Sequence, residues 1–282
     1  MKFSSYNTFL YDLDKQGLEY AAERAERLGF SGVELLDLCP LRSRATYERY
    51  SVDEYRAAFD RHSLELACYS SAALLYTDDE KATLAEIGKQ AEFAAALGSK
   101  IFHHTFTIGF AHTPKTLAFD TVLNRVASMA ERVAEKCDRL GMTCIYEPQG
   151  AYFNGEDGFF KLRAEMKRRG VNTGVCADVG NSLFFDEKGE DIIKKCASDV
   201  MHVHAKDYIM SDEPLPLFPN NQISNGGKHL YDCEIGTGVV NFLECFKPLK
   251  EIGYDGYFSI ELVADDESNE RMIKYMKNIY EN

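Results

Sequence analysis

The stretch KFSSYNTFL (residues 2–10), followed by QGLEYAAERAERLGF (residues 16–30), shows the unit from which this chain is built. The first segment is short, apolar and strand-like. In the second, apolar residues from Leu18 to Leu28 recur at helical spacing, and Gly29 can end the helix. The pattern therefore predicts a strand, a loop and an amphipathic helix.

This unit recurs eight times. The later strand-like segments are GVELLD (32–37), LELACYSS (64–71), KIFHHTF (100–106), TCIYEP (143–148), TGVCADVG (173–180), VMHVHAKD (200–207) and YFSIEL (257–262). Strands that alternate with helices predict parallel pairing, and short apolar runs suit strands buried on both faces. Eight units in 282 residues favour one α/β domain, residues 1–282, folded as a (β/α)8 TIM barrel rather than an open doubly wound sheet. The chain also lacks the GxGxxG and GxxxxGKS/T patterns of nucleotide-binding open sheets.

The composition excludes several classes of function. Forty-five acidic residues against 32 basic ones give a formal charge of −13, which argues against a nucleic-acid partner. No apolar run is long enough for a membrane span, and the first residues lack the apolar core of a signal peptide. The eight cysteines form no CxxC pair, so we interpret them as buried thiols of a cytoplasmic protein.

Polar residues fall at the ends of the last four barrel strands, where TIM barrels build their active sites. These residues are Glu147, Asp178, His204 and Glu261. Each carboxylate alone could be a solvated rim group or, for Asp178, a helix cap. Three carboxylates at one barrel mouth would repel one another unless a cation neutralised them. One imidazole and three carboxylates suit a single divalent ion, with Mn²⁺ as the first expectation and Co²⁺, Mg²⁺ or Zn²⁺ as alternatives.

The run VMHVHAKDY (residues 200–208) places two histidines in a segment typical of a buried strand. A strand histidine is commonly a hydrogen-bonded core residue, so this alternative stays open for each. Side chains two apart face the same way, so His202 and His204 would both point into the barrel. Only His204 lies near the C-terminal end, so we assign it to the metal and His202 to a deeper layer. Lys206 lies two residues after His204 and faces the same way, so it either contacts an oxyanion at the barrel mouth or is exposed to solvent.

With these residues assembled, the chain resembles the xylose isomerase-like TIM barrels, the sugar phosphate isomerase/epimerase superfamily. The resemblance runs nearly end to end. It rests on GFSGVEL (29–35), YEP (146–148), ADVGN (177–181), HVHAKD (202–207), IGTGVVNF (235–242) and GYDGYFSIEL (253–262). It implies that one metal is held by Glu147, Asp178, His204 and Glu261. It also implies that Glu147 and Glu261 are the catalytic residues that exchange protons with the substrate.

Several positions depart from the epimerases of that superfamily. Asn181 replaces a histidine that contacts the substrate, Met210 replaces an arginine, and Phe153 replaces a glutamate. The additional metal ligands of the related nucleases are not evident in residues 208–238. The resemblance therefore implies the metal cradle, and leaves the identity of the substrate open.

Substrate recognition should come from residues near the mouth. We expect Glu34, His103, Gln149, Asn181 and Lys206 to bind the substrate, a small sugar or polyol-derived molecule. In FHHTF only one of the two histidines can point inward; strand parity does not decide between them, and we take His103 rather than His104 as the inward one. The long segment 208–238 is predicted to be a lid, with a surface excursion or a contact with a second copy of the chain as the alternatives.

Three functions are compatible with these residues. The first is a metal-dependent sugar isomerase or epimerase that abstracts a proton next to a carbonyl and passes through an enediolate. The second is a metal-dependent dehydratase or lyase that acts on a keto-sugar, keto-glycoside or inosose. The third is a non-catalytic sugar-binding barrel.

Overall fold

A computed structural model describes residues 1–37, 46–106, 115–216 and 222–281. The strands in these ranges are β1 (Lys2–Ser5), β2 (Gly32–Asp37), β3 (Glu65–Ser71), β4 (Ile101–His104), β5 (Thr143–Tyr146), β6 (Thr173–Asp178), β7 (Val200–Ala205), β8 (Asp207–Ser211), β9 (Gln222–Ile223), β10 (His229–Cys233) and β11 (Tyr257–Ile260). Eight of them close into a parallel barrel in the order β1, β11, β7, β6, β5, β4, β3, β2. The predicted TIM barrel is therefore confirmed.

Helices cover the outside of the barrel. They are α1 (Asn7–Lys15), α2 (Leu18–Arg27), α3 (Thr46–Arg49), α4 (Val52–Arg61), α5 (Glu80–Ala96), α6 (Phe119–Arg139), α7 (Gly150–Phe153), α8 (Glu156–Arg168), α9 (Gly189–Cys196), α10 (Phe242–Glu251) and α11 (Asp266–Glu281). The first predicted strand, residues 2–10, is too long, because the chain turns into α1 at Asn7. Within the described ranges, no helix is long and apolar enough to cross a membrane.

The two ends of the chain meet where the barrel closes. β1 pairs with β11 in parallel, with Lys2 opposite Tyr257 and Ser5 opposite Ile260. Arg24 on α2 reinforces this closure, because its guanidinium lies 2.8 Å from Asp12 and 2.7 Å from Asp266. The first and last helices are thereby tied to each other outside the seam.

Side chains inside the barrel form two layers, because residues two apart on a strand share a face. The lower layer contains small and aliphatic side chains of β3–β6, namely Cys68, Ile101, Ile145 and Cys176. Two positions further along the same strands come Ser70, His103, Glu147 and Asp178. The inward-facing side chains of β3–β6 therefore change from apolar to polar over two residues. This change puts a polar layer above the packed core, at the C-terminal end of the barrel.

The described residues between β7 and α10 include a small sheet. β8, β10 and β9 form an antiparallel sheet in that order. The Asp207 carboxylate anchors this sheet, since it accepts hydrogen bonds from the backbone N–H groups of Gly236, Gly238 and Val240 at 2.9–3.0 Å. A Cβ at Gly238 would lie 2.3 Å from Asp207 Oδ1, so this close approach requires glycine.

Candidate active site

The four residues expected to bind a metal surround one centre at the C-terminal end of the barrel. Glu147 follows β5, Asp178 ends β6, His204 lies on β7 and Glu261 follows β11. His204 Nδ1 lies 2.8 Å from Glu147 Oε2 and 3.7 Å from Glu261 Oε2. Asp178, His204 and Glu261 also offer donor atoms that all lie within 4.8 Å of one another. The structure thus brings all four side chains together.

Lys206 stands among these carboxylates and is not exposed to solvent. Its Nζ lies 2.9 Å from Asp178 Oδ2 and 2.9 Å from Glu261 Oε2. It also donates a hydrogen bond of 3.0 Å to Asn181 Oδ1. The solvent-exposed alternative for Lys206 is therefore wrong, because the carboxylates of neighbouring strands compensate its charge in a buried position.

Glu34 lies beneath the site rather than in its open mouth. Its carboxylate is fully buried and accepts hydrogen bonds from Ser70 Oγ at 2.6 Å and Ser259 Oγ at 2.7 Å. His202 Nε2 lies 2.8 Å from one carboxylate oxygen and His204 Nε2 lies 3.0 Å from the other. These four contacts occupy the carboxylate, so the structure does not place Glu34 where a substrate could reach it. Its contacts instead orient His204.

The hydrogen bonds around Glu34 bear on the protonation of the neighbouring histidines. His204 Nε2 donates to Glu34, and Nδ1 lies against a second carboxylate, that of Glu147. These acids outweigh burial and raise the pKa of His204, so both ring nitrogens carry a proton, and a cation would displace the one on Nδ1. Ser70 gives its one proton to Glu34, so its oxygen accepts from His103 Nδ1 at 3.0 Å. His103 Nε2 is then a free acceptor, 3.8 Å from Glu147 Oε1.

The two histidines of β4 face opposite sides of the barrel wall. His103 points inward, and its ring centroid lies 5.4 Å from that of His204. His104 instead contacts Tyr146, with Nε2 3.1 Å from the phenol oxygen. His104 also packs against Phe106 in the outer core. The strand therefore offers only His103 to the site.

Burial and charge shift the acid–base equilibria of the site in opposite directions. Burial raises the pKa of Glu147 to about 7, although His204 and Lys206 oppose the shift. Burial also raises the pKa of Glu261, against the effect of Lys206 and His204. For Glu34, the two histidines outweigh burial, and its pKa lies well below the usual value. Glu34 is therefore a permanent anion, while Glu147 can gain or lose a proton near neutral pH.

A divalent cation fits this donor set. Glu147, Asp178 and Glu261 against Lys206 leave two uncompensated negative charges when all three acids are ionised. Asp178 Oδ1 accepts hydrogen bonds from the backbone N–H groups of Gly180 and Asn181, at 2.8 and 2.7 Å, while Oδ2 faces the Lys206 ammonium at 2.9 Å. Glu261 Oε2 faces the same ammonium at 2.9 Å, so both acids already hold a cationic group in this position. Glu147, Asp178, His204 Nδ1 and Glu261 would hold the ion.

A cavity of about 390 Å³ opens beside this centre. Gln149 and Asn181, both expected to bind substrate, line it together with Lys206 and Glu261. The complete lining is Asn7, Gln149, Gly150, Asn154, Asn181, Phe184, Lys206, Tyr208, Gln222, Asp232, Glu261, Leu262 and Val263. Its volume lies in the range that suits a small-molecule ligand.

Gln149 and Asn181 are held in place by hydrogen bonds. Gln149 Nε2 donates to Glu147 Oε1 at 2.6 Å, and Asn181 Nδ2 donates to the carbonyl of Pro148 at 3.0 Å. The two positions where epimerases carry charged contacts lie elsewhere. Phe153 is buried against Phe106, and Met210 is exposed on β8.

Sequence reasoning missed several residues that contact the site. Ser259 lies two positions before Glu261, and Ser70 two after Cys68, so strand parity could have placed both on the inner face. Tyr6 stacks on His204 with ring centroids 5.3 Å apart. The parity rule fails for Tyr6, because β1 ends at Ser5 and the predicted strand continued past it.

Comparisons with known proteins agree with this fold. The chain is 24% identical to the inosose dehydratase of Clostridium botulinum over 272 residues, which is 92% of this chain and 87% of that protein. The D-allulose 3-epimerase of Methylomonas sp. has the same fold, with a TM-score of 0.73, 15% identity, and coverage of 99% and 98% of the two chains. The structure of the IolI protein with a bound zinc atom gives a TM-score of 0.74, 16% identity, and coverage of 99% and 98%. At these identities the two structural matches show the fold alone.

A family model gives the more specific result. The model of the xylose isomerase-like TIM barrel matches residues 22–279, nearly the whole chain. The matched region includes the strands that carry Glu147, Asp178, His204 and Glu261. The chain therefore belongs to the xylose isomerase-like TIM barrel family.

Proposed function

We propose that this protein is a divalent-metal-dependent isomerase or epimerase of a sugar or polyol-derived ketone, acting by proton abstraction next to the carbonyl. One observation carries the proposal: Glu147 and Glu261, from strands on different sides of the barrel, converge on His204 Nδ1 at 2.8 and 3.7 Å. Two carboxylates that flank one position can remove a proton from one side of a substrate carbon and return it from the other.

The proposed roles follow from the contacts of each residue. A bound divalent ion would supply Lewis acidity to the substrate carbonyl. Glu147, whose pKa is raised to about 7, can take the proton from the adjacent carbon and leave an enediolate. Glu261 is the partner that returns a proton. Gln149, hydrogen-bonded to Glu147 at 2.6 Å, fixes the direction in which that carboxylate faces.

Dehydration is the second candidate outcome. The curated relative that aligns over 92% of this chain is an inosose dehydratase. The first step would be the same, and loss of a hydroxyl β to the carbanion would replace reprotonation. Lys206, 2.9 Å from Glu261, is a nearby proton donor for the departing hydroxyl.

The nature of the ion and the setting of the protein belong to the same proposal. A carboxylate-rich set with one imidazole supports Mn²⁺, and the zinc in the IolI structure supports a divalent ion generally. The described cysteines are all free thiols, which supports a cytoplasmic location. We further propose that residues 1–282 act as one domain.

The decisive experiment follows hydrogen exchange from D₂O into recovered ketose or inosose. The metal-loaded protein should incorporate deuterium at the carbon next to the carbonyl, and a chelator should abolish this. Glu147→Gln should reduce the exchange by about 10²-fold or more, with metal content measured in parallel. Glu131→Gln, on the outer helix α6, serves as the control.

Product mass separates the two outcomes. Dehydration removes one water, about 18 mass units, whereas isomerisation leaves the mass unchanged. If ketoses and inososes bind and yet exchange no hydrogen, the barrel is a binding protein and the catalytic proposal is wrong.

A further inference from the structure

The charged end of Lys206 lies among the side chains that would hold a metal ion. Its Nζ is 2.9 Å from Asp178 Oδ2 and 2.9 Å from Glu261 Oε2. Asp178 Oδ1 already accepts two backbone hydrogen bonds, so Oδ2 is the oxygen that this residue can offer to an ion. Glu261 Oε2 is the oxygen that lies 3.7 Å from His204 Nδ1. The ammonium group therefore uses the same two oxygens that a divalent ion would need.

Two positive charges would be very close together if Lys206 kept this position beside a bound ion. A zinc ion lies about 2.0–2.2 Å from a carboxylate oxygen that binds it. An ion on Asp178 Oδ2 would therefore lie within about 5 Å of Lys206 Nζ, which is itself 2.9 Å from that oxygen. The side chain of Lys206 is buried, and repulsion between like charges is stronger in a buried site than in water. The ammonium group and the ion thus compete for one place.

The cavity beside the site offers the Lys206 ammonium a second partner, Asp232. Both residues line this cavity of about 390 Å³. Asp232 lies on β10 opposite Tyr208, which follows Lys206 by two residues. Asp232 is exposed, and in the described wall it is the one acid outside the expected metal ligands. Desolvation by the wall raises the pKa of Asp232 and the charge of Lys206 opposes this shift, so the two groups already interact.

The Lys206 side chain is held near its base and can turn at its end. A Cβ at Gly180 would lie 2.8 Å from Lys206 Cγ, so the first part of the stem packs closely on the loop after β6. The bonds beyond Cγ belong to a flexible chain that ends in the ammonium group. Asn181 Oδ1 accepts a hydrogen bond from Nζ at 3.0 Å, and Asn181 also lines the cavity. The ammonium group therefore lies at the boundary between the carboxylates and the cavity.

We infer that Lys206 and a divalent ion compete for Asp178 and Glu261, and that ion binding turns the Lys206 ammonium towards Asp232 in the cavity. This inference rests on the proposed function for the metal site and adds what the lysine does there. The ammonium group keeps the two carboxylates in place until an ion binds between them. Ion binding then presents the same group to a ligand in the cavity, so Lys206 is a positioning residue that couples the two sites.

Calorimetric titration of the full-length protein with Zn²⁺ and Mn²⁺ measures the competition. Lys206→Met should bind the ion about tenfold more tightly than the parent, because the ion no longer has to displace a cation. Lys206→Gln also removes the charge but keeps a hydrogen-bond donor for the carboxylates. It should shift the affinity in the same direction, and it replaces Lys206→Met if that variant does not fold without metal.

Lys161→Met is the control for a general effect of charge. It removes one positive charge from the exposed face of α8, where Lys161 pairs with Asp157, and it should bind the ion like the parent. Metal affinity that is unchanged or lower after removal of the Lys206 charge would overturn the inference. An equal gain in Lys161→Met and Lys206→Met would also overturn it.

A double-mutant cycle tests whether Asp232 receives the ammonium group. Asp232→Asn should weaken metal binding about threefold in the parent, because the displaced charge loses its partner. The same change should have little effect in Lys206→Met, which has no ammonium group to move. Equal weakening in both backgrounds would show that Asp232 acts only through its own charge. A crystal structure with zinc gives a second readout: Nζ should lie nearer Asp232 than Asp178, and an unchanged Lys206 beside the ion would refute the inference.

Failure of the inference and failure of the proposed function give different results. If the parent binds the ion and exchanges hydrogen from D₂O, but the Lys206 variants bind the ion no more tightly, only the inference fails. If Lys206→Met binds the ion more tightly and no ketose or inosose exchanges hydrogen, the competition holds and the catalytic proposal fails. If neither the parent nor any variant binds a divalent ion, both are wrong.

Discussion

Replacing Glu34 by glutamine tests whether this buried residue controls the metal centre. The substitution keeps the shape and removes the charge from a carboxylate that contacts Ser70, Ser259, His202 and His204 at 2.6–3.0 Å. The new NH₂ group cannot accept a hydrogen bond, so at least one donor loses its partner. His202 can adapt by moving its proton to Nδ1, which has no partner in this structure.

The expected cost follows from these contacts. One hydrogen bond to a charged group is lost, and its buried donor is left to find another partner, so the free energy of unfolding should fall by about 2–4 kcal/mol. His204 Nε2–H also loses the anion that keeps Nδ1 facing the metal ligands. Affinity for Mn²⁺ and Zn²⁺ should therefore fall about 10–100-fold, as expected when the partner of a metal-binding histidine is removed.

Titration calorimetry measures the affinity, urea unfolding measures the stability, and ¹⁵N shifts of His204 report which nitrogen is protonated. Asp37→Asn is the matched control. Asp37 is also a buried acid on β2, but it hydrogen-bonds Tyr69 and the backbone of Thr46 and does not contact His204. We expect both variants to lose stability and only Glu34→Gln to lose metal affinity. Unchanged affinity in Glu34→Gln, or an equal loss in both variants, would refute the reasoning.

Four further predictions concern neighbouring groups. Lys206→Met should destabilise the metal-free protein by about 3 kcal/mol in urea unfolding, because two buried carboxylates lose their cation. Saturating metal should restore much of this stability, and a metal-free variant as stable as the parent would contradict the prediction. Because the pKa of Glu147 is raised to about 7 and the acids around His204 raise its pKa as well, metal affinity measured by calorimetry should fall at least about tenfold per pH unit below pH 7, since the ion must displace protons from both ligands. The Glu147 carboxyl also binds more protons in the folded metal-free protein than in the unfolded chain, so its own contribution to stability, measured as the difference between the parent and Glu147→Gln, should decrease as the pH rises from about 4.5 towards 7, and a flat difference would argue against the shift. Asp207→Asn should speed amide hydrogen exchange in residues 236–240 and lower stability by about 2 kcal/mol, whereas unchanged exchange there would show that the anchor is dispensable.

The barrel could be predicted from the sequence because its signal is local and repeated. Each strand is followed by a helix pattern, so no long-range contact had to be known. The positions of Glu147, Asp178, His204 and Glu261 followed from the rule that strand ends meet at one rim. The bounds of β1 did not follow, because Tyr6 and the apolar residues of α1 read equally well as a longer strand.

How deeply a side chain lies in the barrel was harder to predict than whether it faces inward. Parity shows that Glu34 faces inward, but pairing between β2 and β3 shifts register between Val33 and Glu34. Such an irregularity changes where a side chain points, and only the folded structure shows it. The burial of Lys206 depends on two acids from other strands, and the place of Gln222 in the cavity wall depends on its pairing with Leu230 on β10. Neither is visible in local pattern.

The Asp207 anchor has a consequence for how this protein can change. The Asp207 carboxylate accepts hydrogen bonds from the backbone at both ends of segment 208–238. One end is Tyr208, where the chain leaves the barrel, and the other is residues 236–240, where it returns. The chain therefore leaves and rejoins the barrel at a single pinned point, three residues after His204. We expect that the residues between these ends can be exchanged, with new lengths and side chains, while the candidate site keeps its geometry. Under the proposed function, the range of substrates would then change in one part of the molecule without changes at Glu147, Asp178, His204 and Glu261.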